Sequence, residues 1–185
     1  GTSASPGRVQ QRIRQYQELT NSDTCLRLSR ALVHAKIESQ LRYILRGTRG
    51  ADGARTECQP HLDRMRESLK KIDRAESLDT LRGLEGIAAK AYFAALPILL
   101  ADKVPEVMRP SGRSKRPPQD RFNCLLSFGY AMLHSLVHRM LLAVGLEPAF
   151  GFFHQPRSAA PPLVLDVVEI FRTPLVDMPV VGSVN

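Results

Sequence analysis

The sequence predicts an all-α domain, a bundle of about five to seven helices. Two observations predict it. Apolar residues recur at spacings of three and four along most of the chain, which is the signature of helices with one buried face. Alternating apolar and polar runs of the strand type are almost absent, so helix-on-helix packing is the layer architecture that remains.

Residues 1–20 are polar and carry Arg8, Arg12 and Arg14. They read as a linker or remnant of an upstream element, or as a frayed first helix, ahead of one helical domain over 21–185. Residues 22–46 predict a long helix through Leu26, Leu32, Val33, Ile37, Leu41, Ile44 and Leu45, capped by Asn21 or Ser22 and ended by Gly47. Positions 47–53 read as a loop. Residues 56–73 predict a second helix through Leu62, Met65, Leu69 and Ile72. Ser77 caps a third over roughly 78–100, rich in Ala and Gly, which Pro97 should kink or break. Pro105, Pro110, Pro117 and Pro118 keep 103–121 irregular. Asp120 caps an apolar helix over about 121–144, ended by Gly145. A loop to Pro162 carries His154, and a last helix begins near Pro161 or Pro162, where proline suits the first turn. The end, from Pro179 to Asn185, is apolar and uncapped and reads as a cut inside an element.

The 185 residues suffice for one domain with a real core. At 43 % apolar and 24 % charged residues the composition is that of a soluble globular chain. No apolar run approaches the ~18 residues of a membrane span, and the polar, basic start lacks the apolar stretch of a signal peptide. The expected location is cytoplasmic. Cys25, Cys58 and Cys124 are few, odd in number and without Cys-x-x-Cys spacing, so reduced thiols are expected rather than a zinc finger or redox motif.

The net charge of +8 is unevenly placed: residues 126–185 sum to −1, and 103–121 alone carry +4. Such asymmetry points to nucleic acid or an anionic membrane, with a solvated basic surface as the bland alternative.

Four metal-competent side chains stand among apolar neighbours: Glu85, His154, Asp166 and Glu169. Buried carboxylates are costly unless paired or bound to a cation. Asp166 and Glu169 are three apart and share one helix face. Read alone, they fit equally a solvated edge or partners for Arg172 and Arg157. Glu85 fits an intrahelical pair with Arg82, and His154 a structural histidine. His134 and His138 lack the intervening Glu of a zinc-protease helix. One imidazole with carboxylates suits Mg²⁺ or Mn²⁺, and beside a basic loop such an ion suits phosphodiester chemistry.

Four blocks then occur in one order. They are Leu28 to Ile37 with Ala35-Lys36-Ile37; Arg82-Gly-Leu-Glu85-Gly-Ile-Ala-Ala-Lys-Ala-Tyr92-Phe93; Arg113 to Tyr130 with Asn123; and Gly151-Phe-Phe-His154 followed by Leu165-Asp166-Val-Val-Glu169-Ile-Phe171-Arg172. In this order they make the chain resemble the C-terminal helical domain of the CRISPR-associated integrase family, CRISPR-associated protein one. The resemblance implies that Glu85, His154 and Glu169 hold a divalent metal, Mg²⁺ or Mn²⁺, with Asp166 as a further catalytic acid. It implies site-lining roles for Tyr92, Asn123, Tyr130 and Gln155, and DNA contacts from Arg82, Arg113, Lys115, Arg116, Arg121 and Arg172. The implied activity is that of a DNA endonuclease/integrase that inserts foreign spacers into a CRISPR array by transesterification. The implied partners are DNA, a second copy of the full-length protein, the small ferredoxin-like second adaptation protein, and a fused or separate Cas-four-type nuclease. The family's N-terminal β-rich domain matches no part of this chain. A DNA-binding scaffold with a dead site, or a transposon-borne integrase of the same superfamily, are the alternatives.

Overall fold

The computed structural model describes residues 6–115, 117–155 and 160–185. Among these residues there are seven α-helices and no β-strand. They are α1 (Pro6–Leu19), α2 (Ser22–Gly47), α3 (Asp52–Ile72), α4 (Leu78–Ala95), α5 (Arg121–Ala143), α6 (Pro162–Arg172) and α7 (Met178–Val184). None is long and apolar enough to cross a membrane.

Helix α2 is the axis of the bundle. Asn21 starts it by accepting from the Asp23 and Thr24 N–H groups, at 2.9 and 3.0 Å. Its apolar stripe of Leu32, Val33, Ile37, Leu41 and Ile44 is buried. One side of α2 packs on α3 and α4, which also pack extensively on each other, and the other side meets α6. Helix α5 packs on α6. The metal-competent residues expected on α4 and α6 are thereby brought to opposite flanks of α2.

Helix α3 begins at Asp52, earlier than its apolar residues suggest, and continues through Pro60. A proline inside a helix forfeits one backbone bond. Buried Cys58, Leu62 and Met65 hold the helix on α2 and α4 through that defect. Helix α4 stops at Ala95, and the expected break at Pro97 takes the form of a tight 3₁₀ turn, Leu96–Leu99. The close approach of this turn to α2 uses Gly47, where a Cβ would come within 2.9 Å of Leu99.

The basic 103–121 segment is irregular apart from a turn at Glu106–Met108. Asp120 caps α5 by accepting from the Asn123 N–H at 2.7 Å.

Residues 6–19, expected as a linker or a frayed helix, form α1, and polar groups dock it. Gln15 Nε2 donates to the Glu147 and Phe150 carbonyls at 2.9 and 3.0 Å, while its Oε1 accepts from the Glu147 N–H at 2.8 Å. Tyr16 meets Phe150 edge to face at 5.1 Å. The apolar residues of this helix, Val9, Ile13 and Tyr16, fall at helical spacing but stay exposed, so much of the docking falls to Gln15. Its effect is to hold the strip of chain that leads into Gly151–His154.

Leu62 is fully buried among α2, α3 and α4. Leu62→Ala is expected to lower unfolding free energy by ~2–5 kcal/mol, measured by urea denaturation. A loss below about 1 kcal/mol would mean that this three-helix contact is not the core.

Candidate functional site

The centre of the site is Lys36 on α2. It sits on the buried face, 6 % exposed, where an unpaired ammonium would be very costly. Its Nζ is hydrogen-bonded to Glu85 of α4 and lies 2.5 Å from Glu169 Oε2 of α6. Three helices thus meet through one cation and two carboxylates. Burial alone would lower the Lys36 ammonium's pKa, but Glu169 and Glu85 raise it above the ordinary lysine value. Burial would likewise raise Glu169, and Lys36 followed by Arg172 holds it below the ordinary carboxylate range. Arg172 Nη1 binds Glu169 Oε1 at 2.8 Å. Glu169 Oε2 is buried, and the Lys36 ammonium is its partner.

Asp166 lies fully buried one turn before Glu169. Its Oδ2 accepts from the Phe152 and Phe153 N–H groups at 2.7 and 3.1 Å, and its Oδ1 from the His154 N–H at 2.9 Å. The same Oδ1 is 2.7 Å from His154 Nδ1. An ionised carboxylate only accepts, so Nδ1 carries the proton and Nε2 of the neutral ring keeps its lone pair. Asp166 is therefore a positioning residue with its acceptor capacity taken up by the loop. Glu169 is the acid of the pair whose oxygens meet side-chain cations, Lys36 and Arg172, and no backbone N–H.

The loop is fixed from two further helices. Arg82 of α4 donates to the Phe153 carbonyl at 2.6 Å and lies over the Phe153 ring at 5.6 Å. Ser29 of α2 donates to the Phe152 carbonyl at 3.4 Å. Gly151 is needed because a Cβ there would meet Asp166 Oδ2 at 2.7 Å and the Leu163 nitrogen at 2.8 Å.

The expected basic residues divide by their surroundings. Arg82 pairs with Asp79 at 2.6 Å rather than with Glu85. Arg113 donates to Asn123 Oδ1 at 2.8 Å and Ser127 Oγ at 3.0 Å, and lies over the Phe93 and Tyr130 rings. Asn123 in turn donates to the Gly112 carbonyl at 2.8 Å. These two side chains give the basic segment its shape. Lys115 and Arg121 are exposed. Desolvation, followed by repulsion from Arg172 and Arg113, lowers the Lys115 ammonium. Glu85, Phe93, Gly112, Arg113 and Lys115 line a cleft of about 570 Å³. Gln155 is exposed beside His154. Arg116 and Arg157 lie outside the described residues.

Two residues were missed by the sequence reading as site components. Lys36 was noted only as part of an Ala-Lys-Ile block, although a lysine on an apolar stripe signals a buried partner. Asp177 was not singled out. It lies in a π-helical turn, Thr173–Asp177, and accepts from Tyr92 at 2.8 Å and from Tyr130. Tyr130 lies under Arg172, whose guanidinium is 4.8 Å from the ring centre. Tyr92 and Tyr130 therefore connect to Glu169 only indirectly, through Asp177 and Arg172.

Two outcomes follow from this geometry. Gly151→Ala is expected to destabilise by ~1–3 kcal/mol, because the atoms it meets include fixed backbone. The histidine loop should loosen, read as faster amide exchange at Phe152–His154, and unchanged exchange would remove the steric role. Glu169→Gln is expected to cost ~3 kcal/mol near pH 7 by leaving Lys36 short of a charge partner. Because Glu169's folded pKa is depressed, its contribution is complete above the unfolded value of ~4.3 and is lost as pH falls through the folded value. The gap between native and variant in urea denaturation should therefore narrow from pH 7 to pH 3, and a constant gap would refute the charge pairing.

The family model described as CRISPR associated protein Cas1 matches residues 2–185. The chain is 51 % identical over its whole length to a CRISPR-associated exonuclease Cas4/endonuclease Cas1 fusion of Leptospira interrogans, of which it covers 34 %. It is 34 % identical to a CRISPR-associated endonuclease Cas1 of Chlorobaculum tepidum, with 97 % of this chain and 52 % of that protein covered. A chain of a partial Cas6-RT-Cas1–Cas2 complex superposes with a TM-score of 0.83 at 28 % identity, over 99 % of this chain and 54 % of its own. The chain thus spans a third to about half the length of the relatives it matches. With the family model matched from residue 2 to the end and the all-helical Cas1 fold reproduced, this chain belongs to the CRISPR-associated protein Cas1 family.

Proposed function

We propose that the chain is the metal-dependent catalytic part of a DNA endonuclease/integrase that inserts foreign DNA spacers into a CRISPR array. The observation that carries this reading is the convergence of Glu85 and Glu169 on one buried cation, beside a histidine whose proton is fixed by Asp166. The names of the relatives, Cas1 endonucleases and Cas4/Cas1 fusions, support the same class of activity.

Among the described residues no three metal-competent side chains stand together at ligand spacing, and the two glutamates meet instead at Lys36. The donor chemistry nonetheless fits Mg²⁺ or Mn²⁺: two carboxylates, one imidazole nitrogen with a free lone pair, and a buried Glu169 oxygen met by the Lys36 ammonium, where a metal cation could stand in its place. Glu85, His154 and Glu169 would hold the ion. Such an ion supplies a Lewis acid at a phosphoryl oxygen.

The remaining work belongs to the chain's own residues. Asp166 keeps the His154 Nε2 lone pair available. Lys36 and Arg172 keep Glu169 ionised and oriented. Lys115 and Arg121, exposed near the cleft, contact phosphates and hold the DNA there, a contribution that salt weakens. Arg82 and Arg113 act chiefly by fixing the loops that carry His154 and Lys115. The reaction is a transesterification: a 3′-hydroxyl of captured DNA forms a P–O bond at the repeat boundary as the existing P–O bond breaks. A second copy of the full-length protein, the ferredoxin-like Cas2 and a fused or separate Cas4-type nuclease are the proposed protein partners. Cas2 and Cas4 are both named with Cas1 relatives of this chain.

Cleavage and strand transfer on branched DNA, run with Mg²⁺, Mn²⁺ or chelator, tests the reading. Turnover should require the metal and fall at least ~100-fold in Glu85→Ala, beyond the ~10–100-fold typical of losing a supporting partner. Retention of turnover by Glu85→Ala would overturn the site. DNA binding without turnover under every condition would favour a helical scaffold that binds DNA without acting on it.

A further inference from the structure

The site does not account for a second basic feature on the far half of α2. A groove of about 830 Å³ runs between α2, the start of α3 and the turn that joins α6 to α7. Arg42, Arg46, Arg49 and Arg55 line it, against Glu38 as its one carboxylate, with Pro174 and Met178 as the opposite wall. Arg42 and Arg46 are spaced i, i+4 and share one face of α2, and Arg49 lies in the turn that follows the helix.

Three observations point to a ligand. First, the arginines form a line rather than a cluster. Arg42 and Arg46 lie four helical residues apart, roughly 6 Å along the axis, and Arg49 follows in the turn beyond Gly47. A compact anion would need donors converging on a point. Second, their donors are largely unspent. Arg46 reaches only the Met178 thioether, at 3.3 Å, a poor acceptor for a guanidinium. Arg42 pairs with Glu38 at 2.7 Å, but that pair is exposed on both sides, and such pairs are easily exchanged. Arg49 makes no side-chain hydrogen bond among the described residues. Third, the negative end of the helix is already answered. Arg55 donates to the Leu45 carbonyl at 2.5 Å and to Thr48 Oγ1 at 2.8 Å. The other three arginines are therefore not needed to cap it. Tyr43, on the groove floor, has its hydroxyl pushed up to about 12 by burial and by Asp177, so it remains a neutral O–H donor.

We propose that this groove is a second nucleic-acid contact, in which Arg42, Arg46 and Arg49 track the phosphates of a DNA strand outside the reacting site. The groove starts one residue from Lys36, at Ala35, and its other wall starts two residues beyond Arg172, at Pro174. The proposal rests on the reading of this chain as a DNA enzyme, since that reading supplies the ligand.

The test is the salt dependence of DNA binding by the full chain, native and Arg42→Gln/Arg46→Gln/Arg49→Gln, followed by anisotropy of a labelled branched DNA. Each phosphate contact contributes ~0.7–0.9 to the slope of log K against log salt. The variant should lose about two units or more of that slope and bind at least tenfold more weakly. The Arg→Lys triple variant, which keeps the charges, should restore the slope. Turnover at saturating DNA should stay within about twofold of native, because none of the three residues lies in the reacting site. An unchanged slope in the glutamine variant would overturn the groove. So would equal phenylglyoxal modification of Arg46 and Arg49 with and without DNA in the native protein, a readout that needs no variant to fold. If native protein fails to turn over DNA while the slope still drops, the catalytic reading fails and the groove stands.

Discussion

The buried ammonium of Lys36 carries the constraint on which the rest of the site depends. Taking an ion out of water costs several kcal/mol even after relaxation, and Lys36 meets that cost only where two carboxylates reach it together. Glu85 and Glu169 arrive from helices on opposite sides of α2, so the correct packing of α4 and α6 is coupled to one atom. Removing either acid leaves an uncompensated charge, whereas apolar contacts elsewhere can be repacked.

Around that bridge, the polar groups are divided between holding and acting. Asp166 spends its two oxygens on three backbone N–H groups and the His154 ring. A buried carboxylate so satisfied is a rigid part of the loop, and Gly151 is the concession that lets the chain approach it. Asp177 does comparable work below. Burial pushes its carboxyl up, opposed by the hydroxyls of Tyr130 and Tyr92. It joins α4 to α5 and supports Tyr130 beneath Arg172. Arg172 then reaches Glu169. The site is thus tied to the core by hydrogen bonds as much as by packing.

The basic residues obey a similar division, and their number alone is a poor guide to it. Arg82 and Arg113 spend their donors on carbonyls, a carboxylate and aromatic faces within the fold. Lys115, Arg121, Arg42, Arg46 and Arg49 are exposed. Charge that is exposed and weakly paired is available to a polyanion. Charge that is engaged internally shapes the surface it meets.

The sequence by itself determined the helical class and most helix limits, because burial of one face imposes a period that survives in the residue pattern. Asn21, Ser77 and Asp120 cap the helices where their local chemistry predicts. It also singled out Glu85, His154, Asp166 and Glu169, since acids and an imidazole among apolar neighbours need an explanation. The tertiary structure alone decided how they are shared. That Lys36 would stand between Glu85 and Glu169 depends on how α2, α4 and α6 pack, over separations of 49 residues and more in the chain. Asp166 and Glu169 look equivalent as neighbours on one helix. Only the tertiary packing commits the first to backbone N–H groups and turns the second to the side-chain cations Lys36 and Arg172. Helix α1 keeps a short apolar period at Val9, Ile13 and Tyr16, but its docking through Gln15 and the role of Asp177 are made by hydrogen bonds to distant partners, which leave no local pattern.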